Sequence, residues 1–99
     1  MNFYKQVVCA DGFTMSVQAG GGHYCRPRIS DAERYEAVEV GYPNEEEPLL
    51  MPYAESPKEP LYTVYPYVPS DKVSLVIAKH GGIVSGELPP GIPYLRATS

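Results

Sequence analysis

Four side chains in this 99-residue sequence have the chemistry of metal binding and nucleophilic catalysis: Cys9, His23, Cys25 and His80, its whole cysteine and histidine complement. Two thiols and two imidazoles could surround a zinc ion, but structural zinc sites present their ligands in close pairs such as Cys-x-x-Cys, so that one turn offers two donors. Here the nearest pair is His23-x-Cys25, and Cys9 lies in an alternating stretch. The spacing favours two half-buried thiols and two surface or helix-end histidines, so neither a metal nor a cofactor is expected. A Cys9–Cys25 disulfide is equally unexpected in a chain read as cytosolic. Cys25 with His23 or His80 could pair a nucleophile with a base, yet no third residue is placed to orient the base and no oxyanion-hole pattern accompanies them. No catalytic residue is assigned. Gly20-Gly21-Gly22, running into Arg26 and Arg28, could cradle an anion, but it lacks the strand-then-helix setting of a phosphate loop.

The other chemistry on offer is recognition. Net charge is −4, and nine of the twelve acids fall between residues 30 and 60, against Arg34 and Lys58 alone. That distribution argues against direct nucleic-acid binding, which needs phosphates neutralised by lysine and arginine. It suits a basic protein surface, including one that normally holds nucleic acid. The nine tyrosines, with no tryptophan and two phenylalanines, add rings suited to core edges and contact surfaces alike. Tyr53, Tyr65 and Tyr67 flank the proline-rich middle of the chain. Strand alternation puts Tyr65 and Tyr67 on one face; if Val64 and Val68 face the core, those two rings point outward as interface anchors. The alternative is that they cover a second side of a small core. The candidate partner-binding set is Glu36, Glu39, Glu45, Glu46, Glu47, Tyr53, Tyr65 and Tyr67.

These residues need a scaffold, and its clearest part is Tyr62 to Pro89. Val73, Val76, Ile77 and His80 recur at helical spacing, which predicts a helix over about residues 70–80 with one face on a sheet. Ser70 is the expected N-cap, Asp71 complements the positive helix end, and Gly81 is the stop. Before it, FYKQVVC and FTMSVQA flank Ala10-Asp11-Gly12, the pattern of a β-hairpin. Residues 35–42 alternate as a third strand. Residues 62–68 form a fourth that Pro66 confines to an edge, and 83–85 a short fifth. The fold class is therefore α+β: an antiparallel sheet of four to five strands with one helix on a face. A single domain is expected over residues 1–99. Its irregular parts are a long Pro/Glu-rich loop at 43–60, in which Leu49 to Met51 pack as an extended piece, and a loosely anchored extended tail at 88–99. No apolar run is long enough to span a bilayer, and the N-terminus lacks the build of a secretion signal, so the chain is read as cytoplasmic with no membrane partner.

The stretches YKQVVCADGF, HYCRPR, VEVGYP, EPLLMPYAE and YVPSDKVSLVIAKHGGIVSGELP together resemble short accessory proteins encoded by bacteriophages and prophages. The resemblance implies a chain that acts by binding a host protein, as inhibitors of CRISPR and other defence systems do, and it brings no catalytic residue with it. The expected function is thus a non-enzymatic phage-type accessory protein that inhibits or modulates a host complex through an acidic, tyrosine-rich surface. One alternative is a small-molecule or metal-binding module using His23, Cys25, Arg26 and Arg28. A second is a small enzyme of unknown class.

Overall fold

The computed structural model describes residues 3–98. Five strands, β1 (Val7–Cys9), β2 (Thr14–Gln18), β3 (Ala37–Gly41), β4 (Val64–Pro69) and β5 (Ile83–Ser85), form one sheet in the order β4-β3-β2-β1-β5. Every pairing is antiparallel. Among the described residues one α-helix, α1 (Ser70–Lys79), carries the chain from the β4 edge to β5 at the opposite edge. The α+β class and the helix of the sequence reading are both present.

Alternation decides what each strand buries. Val7 pairs with Met15 and Val17 with Val40, so their side chains share one face with Phe13 and Val38. The helix brings Val73, Val76 and Ile77 to the same core, each fully buried and contributing about 1.5–3 kcal/mol. Ser70 does not cap the helix: Pro69 holds that position, and the Ser70 hydroxyl donates to the Tyr35 carbonyl at 2.7 Å instead.

Pro66 lies on an edge strand, as its missing N–H requires. It also sits in a bulge, because Val38 pairs with Val68 but Val40 pairs with Tyr65, so β4 spends three residues where β3 spends two. The extra residue turns Tyr65 inward with Val68 and leaves Tyr67 outside at φ 55°. The shared outward face expected for Tyr65 and Tyr67 is therefore corrected: Tyr65 is fully buried, its hydroxyl donating to the Pro60 carbonyl at 2.6 Å.

The middle loop is packed. Leu50 is buried in the core, and a short 3-10 turn (Met51–Tyr53) replaces the extended piece expected there. The tail is extended but tied down: Ile83 N–H donates to Leu95, Ala97 N–H returns to Ile83, and Ile92 is buried. No helix among the described residues is long and apolar enough to cross a membrane.

Candidate functional site

Two histidines with carboxylate partners and one exposed pair of tyrosines make up the candidate chemistry. The first cluster forms where α1 ends. The helix dipole favours positive charge there, and both Lys79 and His80 occupy it. His80 is 6% exposed and is covered on one face by the Phe13 ring, stacked at 4.1 Å. Its Nδ1 donates to Asp11 Oδ2 and its Nε2 to Glu47 Oε1, both at 2.6 Å. Carboxylates only accept, so both ring nitrogens carry hydrogen and the ring is an imidazolium. Burial disfavours that charge, but the two carboxylates outweigh it and the His80 pKa is raised. Glu47 is likewise pulled two ways. Burial pushes its pKa up, while the Leu49 N–H, His80 and Lys79 bring the balance below the ordinary value. Asp11, at the hairpin turn, is lowered by the Phe13 N–H first and by His80 second.

Glu47 is thus a correction to the expected docking set: at 1% exposure it closes the end of the helix and offers nothing to a partner. The four metal-ligand candidates Cys9, His23, Cys25 and His80 do not converge. Among the described residues, the donors that do come together are Asp11, Glu45 and His80, within 4.8 Å of one another. The 2.6 Å spacing of His80 Nδ1 and Asp11 Oδ2 is that of a short charge-assisted hydrogen bond. Two donors each about 2.0–2.2 Å from a tetrahedral zinc would stand more than about 3 Å apart.

The second cluster lies on the glycine run. Cys25 is buried, its Sγ accepting from Gly20 N–H and facing the Gly20 and Pro27 carbonyls, so the thiol fastens the loop. Gly21 N–H donates to Ser30 Oγ. These bonds use backbone donors that an anion would need, which removes the cradle the sequence suggested. His23 Nδ1 donates to Glu39 Oε1 at 2.9 Å, both side chains half-buried, and Tyr24 N–H approaches Glu39 Oε2. Glu39 is therefore an internal strut, and His23 borders an open cleft of about 950 Å³.

The third feature is aromatic. Tyr67 N–H donates to the Tyr24 carbonyl, their rings lie 5.9 Å apart, and the Arg28 guanidinium stands 5.0 Å from the Tyr24 ring centroid. Tyr67, Tyr24 and Ile29 are all exposed, as are Arg26 and Arg28. Tyr53, by contrast, is half-buried against the core.

The remaining carboxylates do not form one face. Glu36 sits at the start of α1, where its carbonyl accepts from Ser70 N–H, together with Asp71. Glu45 is at the far end, 3.8 Å from His80 Nδ1, and Glu46 beside it is exposed. A ten-residue helix, about 15 Å, separates the two groups. The continuous acidic surface of the sequence reading is replaced by two acidic poles, because the loop from Pro43 onward returns to the hairpin and hides Glu47. What sequence reasoning missed is the Tyr24–Arg28 half of the aromatic patch and the role of Asp11. The Asp11-Gly12 turn was visible, but the nearness of His80 depends on β5 pairing with β1.

Compared with known proteins, the chain matches no family model, no curated protein and no solved structure.

Proposed function

We propose that this chain is a non-enzymatic binding protein of bacteriophage type that acts in the host cytoplasm by docking onto a host protein, a defence complex such as a CRISPR effector being the kind of target the sequence resemblance implies. The observation that carries the reading is Tyr67. The bulge in β4 holds this residue at φ 55° with its ring partly exposed, a conformation that costs a bulky residue of order 1–3 kcal/mol. The bulge that turns Tyr65 into the core thereby sets the Tyr67 ring on the surface beside Tyr24. Tyrosine and arginine are the residue types that dominate binding energy at protein interfaces, and Tyr24, Tyr67 and Arg28 stand together here. The exposed acids at both poles and the net charge of −4 add a long-range attraction for a basic partner, while Tyr24, Tyr67 and Arg28 make the close contacts.

The test compares baits in lysate of the bacterial host. A partner captured by the wild type is lost with a Tyr24→Ala/Arg28→Glu bait and kept with Tyr62→Ala, which removes a still more exposed ring elsewhere. Capture also weakens as salt is raised. Equal capture by all three baits refutes the patch.

A further inference from the structure

Docking through Tyr24 and Tyr67 leaves the cleft beside the glycine run without a task. At about 950 Å³ it falls within the range of small-molecule sites, about 300–1,000 Å³. Three rings, Phe3, Tyr4 and Tyr94, and two carboxylates, Asp31 and Glu87, line it with His23, and among the described residues no lysine or arginine does. Tyr4, Glu87 and Tyr94 are held in place. Gln18 accepts from Tyr4 N–H and donates to the Tyr4 carbonyl, pinning that segment to the sheet. Glu87 spends only Oε1 on the Lys5 N–H, while its own N–H donates to the Lys5 carbonyl. Tyr94 donates its hydroxyl to Gly86 and carries Arg96, which is not part of the lining, 5.7 Å from its ring centroid. The Tyr4 phenol is pushed up by burial first, then by Tyr35, Asp31 and Glu87, so both carboxylates act on one spot.

We propose that this cleft binds a small organic ammonium ion, with Asp31 and Glu87 balancing its charge and the Phe3, Tyr4 and Tyr94 rings enclosing its alkyl body. Aromatic rings attract cations through their faces, and two carboxylates with no lysine or arginine among the described lining residues leave the cleft negative. An anion is disfavoured by the same two carboxylates, and the Gly20 and Gly21 N–H groups that could have received it are engaged by Cys25 and Ser30. The inference rests on the cleft alone, so failure of partner capture by the tyrosine patch leaves it standing.

Heteronuclear NMR titration of the whole chain with cadaverine tests it, with pentanediol and glutarate as neutral and anionic matches of the same length. Cadaverine is expected to shift the amides of residues 20–23 and 31 saturably in the millimolar range, as a ligand this small allows, while the other two do not. Replacing both carboxylates, Asp31→Asn with Glu87→Gln, weakens binding at least about tenfold, and Glu59→Gln, outside the cleft, leaves it unchanged. If the double variant loses its dispersed spectrum, Glu87→Gln alone serves, since its amide oxygen still accepts from Lys5. Equal binding of the diol or of glutarate, no saturable shift up to about 20 mM, or full affinity in the folded carboxylate variant overturns the proposal.

Discussion

His80 and His23 each lean on carboxylates, and the two arrangements do opposite things. At the end of α1 both ring nitrogens of His80 are taken, by Asp11 and Glu47, under a stacked Phe13. On the glycine loop His23 commits one nitrogen to Glu39 and borders open space. A ring with both nitrogens bound to buried or turn-anchored acids cannot accept a proton from anything else, so the His80 cluster is a clasp joining hairpin, middle loop and helix. A ring held on one side only is oriented while its other nitrogen stays available. The comparison shows why a tally of histidines and acids misleads: the closest set of titratable groups holds the fold, and the looser one adjoins the surfaces that can meet a ligand.

The comparison breaks most visibly at Glu47. Replacing it with glutamine leaves the His80 and Lys79 cations without their buried counter-charge and should cost about 3–5 kcal/mol, a fall in Tm of more than about 10 °C for a chain of this size. A Tm within a few degrees of the wild type would show that the clasp is incidental.

The thiols sharpen it next. Burial, followed by the charge of Asp11, pushes Cys9 up to about 11, so in the folded protein it should react with a thiol reagent at least about a hundredfold more slowly than a free cysteine. Cys25, tied only to its own loop, should be labelled first when the protein is warmed below its Tm. Mass spectrometry of partly labelled protein reads the order directly.

pH separates the two clusters further. Because the folded His80 pKa is raised, its contribution is complete below the ordinary value of 6.5 and is lost as pH climbs through the raised value. Because Asp11 and Glu47 are lowered, theirs is complete above the ordinary carboxylate range and is lost as pH falls through the lowered values. Thermal melts should therefore show a plateau between those limits, with the alkaline limb moved to lower pH in Glu47→Gln, which keeps only Asp11 to hold the imidazolium. An unmoved limb would detach His80 from the stability profile. The smallest effect is at the other histidine: Glu39→Gln removes a single, partly buried pair while its amide oxygen still accepts from His23, and should cost no more than about 1 kcal/mol.

Much of the scaffold could be read from residue order. The hairpin about Asp11-Gly12, the alternation in β3, the edge role imposed by Pro66 and the helical spacing from Val73 to His80 are local signals, and each appears where its physics puts it. What escaped were consequences of pairing. A one-residue bulge in β4 reversed Tyr65 relative to Tyr67, and period-2 alternation has no means of announcing a bulge. The run Glu45-Glu46-Glu47 looks uniform, yet only Glu47 is followed by Pro48 and two leucines that fold inward and carry its carboxylate with them. The tail's anchorage likewise depends on a β5 edge that forms only once that strand reaches β1.

Tyr67 offers the most direct trial of the docking account. Glycine relieves a φ of 55° while deleting the exposed ring, so Tyr67→Gly should melt within about 1 kcal/mol of the wild type and yet bind the captured partner at least about tenfold more weakly. Undiminished affinity in that well-folded variant would contradict the account.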